Sequence, residues 1–271
     1  MDTYKQVRNW IDDLPKIGQT TFSIEEAERM FPEKTTSNVR RAIARLASAG
    51  KIQSVWKGFY AVILPEYGRS GIAPPIDYID QLMSHLGKDY YVALLSAATY
   101  SGATHHAVHV FQIISDSVLH EKSKNGVVID PAYKKIIPKK YIVERNSRTA
   151  SVKFSSPELT AADLLLYPKK AGGINFIVTI LSELAESLDF GKVESDFFEN
   201  IPAAIIQRLG YLLDIIIGEN AIADKLYRQA MNANMAFRYT AIVATDRHSL
   251  RNVERNEKWK IIENYRPEGD L

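Results

Sequence analysis

Over residues 36–49, Val39, Ile43, Leu46 and Ala47 recur at three- and four-residue steps, while Ser37, Asn38, Arg40, Arg41 and Arg45 take the remaining positions. A stripe of apolar side chains with this period, backed by cations and an amide, commits the segment to a surface helix that buries one face. Gly50 provides its stop. The flanking residues set the context. Residues 4–14 place Val7, Trp10, Ile11 and Leu14 on one face of an earlier helix that Pro15 ends. Ser23 and Glu26 have capping-box spacing, and Ala27 and Met30 carry a short second helix as far as Phe31-Pro32. After Gly50, the run KIQSVWKGFYAV gives two β-forming stretches around Lys57-Gly58, the signature of a hairpin. Helix, helix, helix, hairpin is the order of a winged helix-turn-helix, which is predicted for residues 1–63.

The third helix suits double-stranded DNA. Arginine grips guanine with two parallel hydrogen bonds, asparagine does the same for adenine, and both bind phosphate. Ser37, Asn38, Arg40, Arg41 and Arg45 are therefore expected to contact DNA from a helix in the major groove, with Lys57 and Tyr60 of the hairpin reaching the flanking backbone. The competing reading is a solvated arginine face in a module that binds protein. Charge distribution favours DNA: residues 1–62 hold ten Lys or Arg against seven Asp or Glu, although the whole chain carries only +2.

Residues 64–75, LPEYGRSGIAPP, lack periodicity and are rich in Pro and Gly, as expected of a linker. At 271 residues the chain has room for a second, larger domain over 76–271. Helices are predicted at 76–86 and 90–103, the latter apolar on nearly all sides. Strand-like stretches follow at 108–114, 126–129, 141–144 and 150–154. Helices return at 159–166, 175–188, 202–217 and 221–231, with short β-type or irregular pieces at 237–243 and 259–262. The mixture defines an α+β fold. Residues 122–153 hold nine basic residues against Asp130 and Glu144. Lys134, Lys135, Lys139, Lys140, Arg145 and Arg148 thus form a candidate second basic patch, which would extend a DNA contact or meet an acidic partner surface or RNA. The alternative is a solvated loop.

Several chemistries are absent or weakly signalled. Without cysteine there are no disulfides, thiolate metal sites or cysteine nucleophiles, which suits a cytoplasmic protein. The N-terminus lacks the apolar core of a signal peptide. The most apolar stretch, 203–218, is interrupted by Gln207, Arg208 and Asp214 and falls short of a membrane span. His105 and His109 lie four apart, but no third ligand accompanies them, so no metal is expected. Glu194 and Asp196 have the acid-x-acid spacing of two-metal chemistry and lack the Gly-Ser motif that would precede it. Gly172-Gly173 reads as a helix-start turn, since the lysine and serine of a phosphate loop are missing. Asp163 and Glu158 are expected to form a charge pair with Arg208 in the core. No cofactor and no catalytic set are predicted.

The second domain carries a sequence of motifs: Tyr90-Tyr91-Val92-Ala93-Leu94-Leu95-Ser96-Ala97-Ala98 continuing to Gly102-Ala103-Thr104-His105; Ser155-Ser156-Pro157-Glu158-Leu159-Thr160; Asp163-Leu164; Tyr167; Gly172-Gly173; and Gln207-Arg208-Leu209-Gly210-Tyr211-Leu212-Leu213. In this order they resemble the AbiEi antitoxins of abortive-infection, type IV toxin-antitoxin systems. His106 stands where the family pattern has glutamine, and Ala161-Ala162 replace bulkier residues. The resemblance implies a non-enzymatic antitoxin that represses its own operon by binding inverted repeats in the promoter. It also implies a C-terminal domain that counters a nucleotidyltransferase-type toxin. The alternative is a winged-helix transcription regulator whose second domain senses a ligand or oligomerises.

Overall fold

The computed structural model describes residues 2–68, 70–103, 110–124, 126–244 and 253–269. The chain divides into two compact units. One comprises Met1–Tyr90, His120–Ile129 and Glu144–Lys153, and the other Tyr91–Leu119, Asp130–Val143 and Phe154–Leu271.

The first unit opens with α1 (Thr3–Asp13), β1 (Thr21–Ser23), α2 (Ile24–Met30), α3 (Thr36–Ser48), β2 (Ile52–Trp56) and β3 (Phe59–Val62). The apolar stripes read from sequence meet in one core: Val7 and Ile11 from α1, Ala27 from α2, and Val39, Ile43 and Leu46 from α3 pack with Phe22, Ile52 and Val62. Caps fix the helix starts. Ser23 Oγ accepts from the Glu26 N–H at 3.0 Å, and Thr35 Oγ1 accepts from that of Asn38 at 3.3 Å. Strand β1 is too short to show a period and was not expected. It pairs antiparallel with β3, giving a three-stranded sheet in the order β1-β3-β2. Lys57-Gly58 forms the two-residue turn between β2 and β3, and Gly58 takes φ +74° there. This order of elements is consistent with a winged helix-turn-helix.

The segment after β3 does not run free. Tyr67 is buried and its hydroxyl donates to Asp77 Oδ2 at 2.5 Å, while the Ala73 N–H donates to Gln53 Oε1 at 2.9 Å. The compact unit therefore continues through α4 (Ile79–Leu86) to Tyr90. Two later pieces join it. The Thr149 hydroxyl donates to the Asp77 carbonyl at 2.5 Å, and the Lys122 ammonium sits 4.7 Å from the centre of the Trp56 ring.

Along the rest of the chain lie β4 (Tyr90–Val92), α5 (Leu94–Tyr100), β5 (Val110–Ser115), β6 (Lys122–Lys124), β7 (Val127–Tyr133), β8 (Ile142–Asn146) and β9 (Ser151–Ser155). Their sheet has the order β6-β7-β5-β4-β9-β8, with β4 and β9 parallel. The single helix expected over 90–103 is corrected here. Tyr90, Tyr91 and Val92 are buried on both faces as a strand, and Leu94, at φ +54°, turns the chain into α5. A segment with no polar face carries no period to separate strand from helix. Gln112 fixes the turn: its Oε1 accepts from the Leu95 N–H at 3.0 Å and its carbonyl from the Ala93 N–H at 3.1 Å.

Helices then dominate the second unit: α6 (Pro157–Leu166), α7 (Ile174–Leu184), α8 (Ser195–Glu199), α9 (Ala203–Tyr211) and α10 (Asn220–Asn232). Every residue of α6 from Leu159 to Leu165 is buried, because α5, α7 and α9 surround it. The expected helix 202–217 is two pieces, α9 followed by a π-helical stretch Leu212–Ile217. Short strands β10 (Thr240–Ala241), β11 (Arg255–Asn256) and β12 (Ile261–Ile262) close the unit as a sheet in the order β10-β12-β11.

Candidate nucleic-acid interface

With Val39, Ala42, Ile43 and Leu46 facing the core, the opposite stripe of α3 consists of Ser37, Arg41, Ala44 and Ser48, all exposed. Arg40 and Arg45 flank it on opposite sides. Arg40 leans towards α2, where its Nε donates to Glu28 Oε1 at 2.6 Å. That hydrogen bond, reinforced by the charges of Glu28 and Glu25, raises the guanidinium pKa further. Arg45 leans towards α1, with its guanidinium 4.4 Å from the centre of the Tyr4 ring. Arg41 donates to Ser37 Oγ at 3.3 Å. Asn38, Arg41 and Arg45 border a cleft of about 260 Å³ with Asp2 and Tyr4 at the start of α1. Ser37, Ala44 and Ser48 keep the central stripe low around Arg41, and Arg40 and Arg45 put a cation on each edge, an arrangement that allows close approach to a groove and contact with its phosphate walls.

The hairpin residues separate. Lys57 is exposed at the tip. Tyr60 is not a free wing residue: its ring stacks on Phe22 with centroids 5.4 Å apart, and burial raises its hydroxyl pKa. Sequence reasoning missed Glu28 and Tyr4, which hold two of the arginines. Glu28 lies in α2, and nothing in its spacing reveals which helix it faces.

The candidate second basic patch does not survive as drawn. Lys134 is buried, with its ammonium 2.7 Å from Asp163 Oδ1 and 3.5 Å from the Tyr91 hydroxyl, which itself donates to Asp163 Oδ2 at 2.7 Å. A cation held in a dry core is not available to nucleic acid. Lys140 pairs with Glu194 and, at 3.7 Å, with Asp196. Lys135 and Lys139 are exposed in the same unit, whereas Arg145 and Arg148 belong to the unit that contains α3. Asp163 thus takes Lys134 as partner and not Arg208. Glu158 Oε1 accepts from the Asp189 N–H at 2.9 Å, and Arg208 Nε donates to the Ala241 carbonyl at 2.9 Å. Burial lowers the Arg208 pKa.

Glu194 and Asp196 serve Lys140 and the Tyr141 hydroxyl, which donates to Asp196 Oδ1 at 2.5 Å. Gly172 and Gly173 take φ +78° and +89° and lead into α7, as a helix-start turn requires. His105 and His109 lie outside the described residues, and among those described no group of three potential metal ligands occurs. No helix among them is long and apolar enough to cross a membrane.

A helical N-terminal segment with an arginine-bearing third helix and a three-stranded sheet, followed by a larger mixed α+β part, defines a two-part α+β architecture. Residues 91–215 match the model of the AbiEi antitoxin C-terminal domain family. The fold as a whole is similar to the crystal structure of the RV2827C protein from Mycobacterium tuberculosis, with a TM-score of 0.63 at 14% identity, covering 96% of this chain and 90% of that one. No curated protein matches the chain in sequence.

Proposed function

We propose that the protein is the antitoxin of a type IV toxin-antitoxin pair. It represses its own operon by binding inverted repeats in the promoter through α3, and it counters a nucleotidyltransferase-type toxin through its C-terminal domain. This reading is supported by the match of residues 91–215 to the AbiEi antitoxin C-terminal domain family in a chain whose preceding α3 exposes Arg40, Arg41 and Arg45. DNA supplies the polyanion that such a face suits, and the antitoxin domain supplies the reason to regulate an operon.

The test is co-expression of the full chain with the product of the adjacent gene in a bacterial host, alongside a reporter driven by the shared promoter. The full chain relieves growth arrest and silences the reporter. The double variant Arg40→Ala/Arg41→Ala loses repression and keeps the rescue. Growth arrest that persists with the intact chain removes the antitoxin assignment; repression untouched by the double variant removes α3 as the DNA contact.

A further inference from the structure

We infer that Glu28 is the specificity-determining residue of the α3 face, acting by positioning Arg40; the inference rests on the DNA-binding reading above. Glu28 Oε1 binds the Nε of Arg40 at 2.6 Å. A guanidinium is a planar fork, so a partner at Nε leaves the outer edge, with its two terminal nitrogens, open. That edge is the one that meets O6 and N7 of guanine as a pair. The burial of the two groups differs in the sense this requires. The Glu28 side chain is only 20% exposed while that of Arg40 is 62% exposed, so the carboxylate is a fixed anchor and the guanidinium projects from it. Arg40 also lies in the first half of α3, the part of a recognition helix that reaches base edges.

The same carboxylate works against non-specific binding. A phosphate approaching Arg40 meets the negative charge of Glu28, with Glu25 also acting on Arg40 from α2. A guanine edge carries no net charge and meets no such opposition. Glu28 therefore favours base contact over phosphate contact at this one arginine, whereas Arg45, stacked on Tyr4, has a neutral partner and suits the phosphate wall.

The experiment measures the affinity of the full chain for a duplex taken from its own promoter and for a scrambled duplex of equal base composition, by fluorescence anisotropy at matched salt. Five proteins are compared: the unaltered chain, Glu28→Gln, Glu28→Asp, Arg40→Ala and the double variant Glu28→Gln/Arg40→Ala. Thermal unfolding checks that each is folded. Glu28→Gln lowers the ratio of promoter to scrambled affinity by roughly tenfold, the worth of one bidentate base contact. Glu28→Asp keeps the charge but withdraws the carboxylate from Nε, and lowers the ratio as well. In the Arg40→Ala background Glu28→Gln no longer changes it. A ratio unaltered in both Glu28 variants, with promoter binding intact, overturns the role of Glu28 and leaves the DNA-binding reading standing. A drop of equal size in the Arg40→Ala background overturns it too, because Glu28 would then act without Arg40. Failure of the unaltered chain to bind either duplex ends both readings.

Discussion

The indole of Trp259 lies against Gly210 so closely that a β-carbon at position 210 would meet its ring atoms at 2.0 to 2.4 Å. Trp259 is fully buried; its Nε1 donates to Asp214 Oδ2 at 2.8 Å, and its carbonyl accepts from Gln207 Nε2 at 2.7 Å. Gln207, Gly210 and Asp214 all belong to the AbiEi-matched segment, whereas Trp259 follows it by more than forty positions. The segment that matches the AbiEi family is thus packed with a side chain from beyond its matched boundary. Gly210→Ala forces the ring to move within a close-packed core and is expected to cost about 1–3 kcal/mol. Urea unfolding checks this through a lower midpoint at unchanged slope; an unchanged midpoint would show that the ring is free to shift.

The buried Lys134–Asp163 pair gives a second test. Burial pushes the Asp163 pKa up, while Lys134 and the Tyr91 hydroxyl pull against it. Asp163→Ala strands the ammonium without its counter-charge and is expected to cost about 3–5 kcal/mol, whereas Lys134→Met/Asp163→Leu removes both charges and costs much less. Chemical denaturation of the three proteins decides the point. Equal losses in the single and double variants would show that packing, and not charge burial, sets the cost.

Asp214 is expected to contribute to stability in acid. Burial alone would raise its pKa, but hydrogen bonds from Lys258, Trp259 and Asn220 outweigh it and hold the carboxyl below its usual value. A folded-state pKa lower than the unfolded one contributes stability above the unfolded value, near 4, and that contribution is lost as pH falls through the folded value. The unaltered protein should therefore lose stability below about pH 4 more steeply than Asp214→Asn, measured as thermal midpoint against pH. Parallel curves would exclude Asp214 as the source.

On the proposed DNA-binding reading, salt dependence separates phosphate contacts from base contacts on α3. If Arg45 meets phosphate, Arg45→Ala lowers the slope of log affinity against log salt by about 0.9 and weakens promoter and scrambled duplexes alike. Titrations at several salt concentrations measure both effects. A change confined to the promoter duplex would move Arg45 to the base-reading group.

Much of the winged helix was legible because each of its helices has one wet and one dry face. The stripe of Val39, Ile43 and Leu46 and the capping Ser23 both stand where spacing placed them. Strand β1 was not legible, since three residues show no period and their pairing with β3 is made across the fold. Segment 90–103 was misread for a related reason: a stretch buried on every side has no polar positions to mark its geometry. Among site residues, sequence placed the arginines on the exposed side of α3, but not Glu28 or Tyr4 beside them.

By itself, the sequence determined where amphipathic helices begin and end, which helix carries the arginines, and which segment bears the motifs that resemble the AbiEi family. These are local properties, written in periodicity, caps and residue type. Tertiary structure alone decided the partners: Lys134 with Asp163 in the core instead of on a basic surface, Arg40 with Glu28, and Trp259 against Gly210. Contacts between residues far apart in the chain depend on how elements pack, and a charge has no period that reports its partner.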